Sequence, residues 1–125
     1  MSEATDAAAI IAAINAQFAT PCAVELEDAP AQTSNHIIVF VSRRPTDTAR
    51  VGTSESMPAG RVVTRYVARH MVDSIRFLRD HTKAALEDRF LPGDIGPFVF
   101  EVEQEDMRYD PEDGGWFVAA DAWTY

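Results

Sequence analysis

The sequence predicts a single α+β domain, a mostly antiparallel β-sheet with two helices packed on it in the order α-β-β-β-α-β-β. Three observations carry this. Two stretches repeat their apolar residues at helical spacing, five others alternate or hold runs of β-branched and aromatic residues, and breaks bearing glycine or proline separate them. At 125 residues, 46% hydrophobic and 25% charged, the chain has ordinary globular composition and is too short for two full cores.

The first helix rests on Ile10, Ile11, Ile14 and Phe18, one apolar stripe with alanine filling at Ala7–Ala9, Ala12 and Ala13. Thr5 is its expected N-cap, Asp6 suits the positive helix end, and Pro21 sets the stop. Cys22–Glu27 sets Val24 and Leu26 against Glu25 and Glu27, the alternation of a half-buried strand, and Asp28-Ala29-Pro30 breaks it. His36–Ser42 is apolar on both faces, with Ile37, Val39 and Val41 on one and Ile38 and Phe40 on the other; such a strand belongs in the middle of a sheet or under cover on both sides. Arg43–Gly60 has no period and holds Pro45, Gly52 and Pro58, which predicts a long exposed loop ordered by a partner surface.

Val62, Val63, Thr64, Tyr66 and Val67 make Arg61–Ala68 a strand. Met71, Ile75, Leu78, Thr82, Ala85 and Leu86 then mark a helical stripe from about Arg69 to Arg89, ended by Pro92-Gly93. The C-terminus reads as a hairpin. Phe98–Glu103 alternates, Asp110–Gly115 is turn chemistry, and Trp116–Tyr125 is a long aromatic-rich strand.

Charge narrows the function classes. The formal net charge is −9, whereas a free-standing DNA-binding domain is normally basic. No run approaches the ~18 apolar residues of a membrane-spanning helix, and a start at Ser2-Glu3 lacks the basic n-region of a secretory signal. The charge is also segregated. Residues 1–42 have no base and a net −5; residues 43–89 hold ten of the eleven bases and a net +4; residues 90–125 have a net −8. One acidic and one basic surface suit head-to-tail contacts between copies.

The sequence holds no phosphate loop, nucleophile elbow or His-Glu-x-x-His motif. The lone Cys22 excludes an internal disulfide and reads as a packing residue. His36, His70 and His81 are scattered, and the last two stand about three helical turns apart, too far to share a metal. Seven acids fall within the thirteen residues 101–113. They are compatible with a paired-carboxylate hydrolase or, at Asp110–Asp113, with a hard cation, but alternation against Phe98, Phe100 and Val102 favours a solvated face. No cofactor is expected. Arg69, Arg76, Arg79 and Lys83 fall on a polar sector of the second helix, interleaved with Asp73, Asp80 and Glu87, which reads as an exposed face or an intersubunit contact.

Arg61-Val62-Val63-Thr64-Arg65-Tyr66-Val67-Ala68, followed by Ile75-Arg76-Phe77-Leu78-Arg79-Asp80, resembles the middle of tail-terminator proteins from long-tailed bacteriophages. Gly96-Pro97-Phe98-Val99-Phe100-Glu101, the turn at Asp110-Pro111 and the final strand Trp116–Tyr125 extend the likeness over roughly residues 36–125. The resemblance implies an α/β fold near the one read above, no enzymatic activity and a role in the virion. Such proteins form a hexameric ring that caps the finished tail tube, stops its polymerisation and meets the head-completion (stopper) proteins, while DNA passes through the centre. On that reading Glu101, Glu103, Glu105 and Asp106 are candidates to line the channel, where like charge lets DNA slide. Arg43, Arg44, Arg69, Arg76, Arg79 and Lys83 are candidates for the contact between subunits. The competing readings are another neck or tail-completion ring protein, an acidic inhibitor that mimics DNA, and a small hydrolase using the acidic run.

Overall fold

The computed structural model describes residues 3–25, 35–43, 60–69, 72–93, 95–110 and 116–125. Within them lie α1 (Glu3–Asn15), β1 (Ala23–Glu25), β2 (His36–Arg43), β3 (Gly60–Arg69), α2 (Val72–Leu86), β4 (Val99–Asp110) and β5 (Trp116–Thr124), in the predicted order. The strands form one sheet in the order β1-β2-β3-β5-β4. β1 runs parallel to β2, and every other pair is antiparallel.

β3 is the centre of this sheet, paired along its length with β2 on one side and β5 on the other. Its alternation decides what each face holds. Val62, Thr64, Tyr66 and Ala68 are buried on the face that carries both helices. Ile10 and Ile14 from α1 and Ile75, Leu78, Ala85 and Leu86 from α2 close over them, together with Ile37, Val39, Ala119, Trp123 and Phe98. On the opposite face Ile38 and Val67, with Phe40 beside them, form a second, smaller apolar cluster. The two-faced apolar pattern of β2 is thus accounted for.

Several boundaries differ from the sequence reading. α1 extends back to Glu3, so Thr5 lies inside its first turn rather than at the cap. It stops at Asn15, well before Pro21. There the Asn15 side chain takes over. Its Oδ1 accepts the N–H groups of Cys22 (2.9 Å) and Ala23 (2.7 Å), and its Nδ2 donates to the Ala23 carbonyl (3.2 Å). This one amide ties the helix end to the edge strand. Asn15→Ala is expected to lower stability by about 1–2 kcal/mol, read as a lower urea midpoint, because two backbone donors lose their acceptor. An unchanged midpoint would mean water replaces the amide freely.

α2 begins at Val72 and ends at Leu86, and the chain turns at Asp88, whose φ of 59° is left-handed. β4 continues to Asp110, well past Glu103, and register shifts between Phe100 and Val102 and between Gln104 and Arg108 hide that length from a reading by alternation. Of the predicted loop, Arg43 closes β2 and Gly60 opens β3, while 44–59 lie outside the described residues.

Tyr125 fastens the end of the chain. It exchanges backbone hydrogen bonds with Gly60 (3.0 and 3.1 Å), and its hydroxyl donates to Asp6 Oδ2 in α1 at 2.6 Å. A Cβ on residue 60 would lie within 2.7 Å of the Tyr125 ring, which explains the glycine.

Candidate functional site

The bases expected at a subunit contact do not share one surface. Arg76 is exposed and held by Asp73 at 2.9 Å, an i,i+3 pair on α2. Lys83 is half-buried, with its Nζ 4.6 Å from the centroid of the Phe100 ring. Arg43 and Arg69 are the last residues of β2 and β3; Arg44 lies outside the described residues.

Arg79 corrects the sequence reading. It is only 7% exposed and turns inward, away from the polar sector of α2. Position 79 sits beside Leu78 and four residues after Ile75, at the border of the apolar stripe, so a long side chain there can reach under the helix. Its Nε donates to Asp121 Oδ2 at 3.0 Å, and its guanidinium lies 5.5 Å from the centroid of the Tyr66 ring.

Asp121 is fully buried on β5, directly across from Thr64. The same Oδ2 accepts the Tyr66 hydroxyl at 2.7 Å. Tyr66 Oη and Thr64 Oγ1 are 2.9 Å apart, and the indole N–H of Trp123 donates to Thr64 Oγ1 at 3.3 Å. Burial, and then the charge of Asp121, push the Tyr66 hydroxyl far above its ordinary pKa, so it stays a neutral donor. Arg79, Asp121, Tyr66, Thr64 and Trp123 therefore form one polar network between α2 and the centre of the sheet, sealed from solvent. Its Arg79–Asp121 pair joins α2 to β5 across this seam. The sequence did carry a signal for Asp121. In Phe117, Ala119, Asp121 and Trp123 it is the one acid on a core-facing alternation, and a buried charge needs a partner.

The four candidate channel acids all belong to β4, an edge of the sheet. Glu101 is exposed at the first register shift and lies 3.9 Å from Arg61 of β3. Glu103 stands opposite Asp121 in register, and Glu105 and Asp106 fall within the second shift. Glu112 and Asp113 lie outside the described residues.

Of the histidines, His36 is buried on β2 and His70 lies outside the described residues. His81 is packed between Phe18 (ring centroids 4.9 Å apart) and Phe77 (4.2 Å), and its Nδ1 is 2.9 Å from the Phe77 carbonyl oxygen. Phe77 is 54% exposed. Burial pushes the Cys22 thiol up to about 11, which suits a packing residue and not a nucleophile. Among the described residues no group of three or more His, Cys, Asp or Glu side chains is placed to hold a metal ion, and no helix is long and apolar enough to cross a membrane.

The sheet face away from the helices holds what the sequence reading passed over. Arg61 and Arg65 stand exposed on the central strand, while Phe40, Val63, Val118 and Ala120 around them are only half covered. Arg65 lies between Ile38 and Ala120 in register and has no ion pair or hydrogen-bonded side-chain partner among the described residues. Comparison of the chain with protein-family profiles, with curated proteins and with solved structures finds no match.

Proposed function

We propose that this protein is a structural component of a long-tailed phage virion, a tail terminator. In this role six copies form a ring on the end of the tail tube, stop its polymerisation and present a surface to the head-completion proteins. DNA passes through the ring, and the protein performs no catalysis.

The observation that carries the reading is how the resembling stretches lie in the fold. Residues 61–68 form the central strand, α2 packs directly on it, and the acidic and aromatic C-terminal strands complete the sheet beside it. Charge segregated along the sequence is compatible with the same reading, since copies that meet head to tail need opposite charges across the contact. An acidic DNA mimic is less well supported: mimicry needs carboxylates over most of the surface, and here Arg61, Arg65 and Arg76 interrupt them.

The test is light scattering over a concentration series, with and without isolated tail tubes, together with negative-stain images. The expected result is a six-copy ring seated at one end of each tube, with tubes of uncontrolled length when the protein is omitted during their assembly. A strict monomer in both conditions would overturn the proposal. Rings that join the head side but never seat on tubes would move the assignment to a neck protein.

A further inference from the structure

We propose that the sheet face opposite the helices is where a second copy of this chain docks its acidic edge strand β4, with Arg65 and Arg61 as the receiving bases. This rests on the ring reading above and names the contact that closes the ring.

The composition of the face is the first argument. Arg65 rises from β3 between Ile38 on β2 and Ala120 on β5, with Phe40, Val63 and Val118 nearby, while Arg61, further along the strand, stands between Ser42 and Thr124. Arginine set in apolar surroundings is typical of the buried centre of an interface, because its flat cation forms directed hydrogen bonds while its stem packs. Charge is the second. The chain has 20 acids against 11 bases, yet Arg65 has no ion pair among the described residues. Arg61 has, among the described residues, one ion pair, with Glu101 at 3.9 Å and both side chains about half exposed. The helix first expected to supply the bases has little to give: Arg79 is engaged inside the fold and Arg76 is held by Asp73.

The occupant follows from the opposite edge. β4 holds Glu101, Glu103, Glu105, Asp106 and Asp110 against the single base Arg108. Among the described strands it pairs only with β5, so its outer side is an open edge. Two such edges repel each other, which disfavours pairing of β4 with β4. An acidic edge meeting the basic face of a neighbour is a heterologous contact, and a contact of that kind repeats around a closed ring. The Arg61–Glu101 pair within one chain is the same chemistry in miniature. The β4 acids thus belong to the subunit contact in place of the channel wall.

Native mass spectrometry and light scattering of two variants, Arg65→Glu and Glu103→Lys/Glu105→Lys, test this. Each alone is expected to lose ring assembly, with association weakened roughly tenfold or more, because each sets like charges across the contact. An equal mixture is expected to form rings of alternating variants, since every contact then joins opposite charges again. Arg65→Lys should assemble. Circular dichroism and the thermal midpoint identify a variant that fails to fold, and Arg65→Ala, which adds no charge, then takes its place with the same expected loss. If Arg65→Glu and Arg65→Ala assemble like the wild type, this contact is wrong while the ring stands. If the two charge variants fail alone and also fail when mixed, their pairing is wrong. A wild-type chain monomeric at every concentration overturns the ring and this contact together. Retention of duplex DNA by the wild type, lost in Arg65→Glu with rings unchanged, would make the face a nucleic-acid surface and overturn the proposal.

Discussion

Asp121→Ala is expected to cost about 3–5 kcal/mol of folding stability, because it strips a buried guanidinium of its carboxylate. Asp121 is fully buried and Arg79 7% exposed, so water cannot take over from the missing oxygen without opening the seam between α2 and the sheet. Tyr66 loses the same acceptor, though Thr64 Oγ1 remains 2.9 Å from its hydroxyl. The size of this loss does not measure what the pair contributes. Burying two ions carries a desolvation penalty that their attraction only roughly offsets. The double replacement Arg79→Met/Asp121→Val is therefore expected to recover most of the stability, and Asp121→Asn to fall between, since a neutral amide oxygen can still accept from Tyr66. Urea unfolding of the two single variants and the double closes a cycle whose coupling term is the interaction itself. A cost below about 1 kcal/mol for Asp121→Ala would show that the network relaxes or hydrates and does not hold the helix. If the double variant stays stable but no longer forms a single assembly, the pair acts on the orientation of α2 more than on the stability of the fold.

The same pair marks the border of what the sequence discloses. Helical spacing identified Ile75, Leu78, Thr82, Ala85 and Leu86, and all of them are buried, because a stripe with a period near 3.6 has one way to face a sheet. Spacing also sent Arg79 to the surface, since a local pattern treats every charge as solvated. Its partner lies 42 residues further on and becomes a neighbour only when β5 inserts between β3 and β4. Strand order and the parallel pairing of β1 with β2 are likewise properties of the whole sheet, not of any one strand. The end of β4 was misjudged for a local reason: the first register shift pairs Phe100 with Trp123 but Val102 with Ala122, so the expected alternation of 98–103 already fails after Phe100, while pairing continues to Asp110. Arg61 and Arg65 were visible as residues but not as a surface. Their significance comes from β3 being central, with both described helices on its other face.

Gly96→Ala is expected to cost about 3–5 kcal/mol, from backbone strain and a steric clash acting together. Gly96 has φ = 130°, a region L-residues rarely enter. A Cβ there would run into the Arg89 carbonyl oxygen and sit 3.1 Å from the Phe90 Cα. Both obstacles are backbone, so no rotamer change relieves them. The surrounding segment is also fixed at several points. Asp88 donates its N–H to Phe98 O at 2.9 Å, Phe98 returns one to Arg89 O at 3.3 Å, and Leu91 and Ile95 bond to each other at 2.7 and 3.3 Å. Leu91, Ile95 and Phe98 are core residues, so moving Arg89 aside would disturb the link between α2 and β4 and the packing beneath it. Gly93 provides the comparison. Its φ is also positive, at 89°, but it is exposed, so Gly93→Ala is expected to cost only about 1–2 kcal/mol of backbone strain. Urea midpoints for the two variants, measured side by side, separate conformational strain from the clash. If Gly96→Ala proves no more costly than Gly93→Ala, the approach of the chain to Arg89 is soft, and the connection between α2 and β4 is held by its apolar side chains alone.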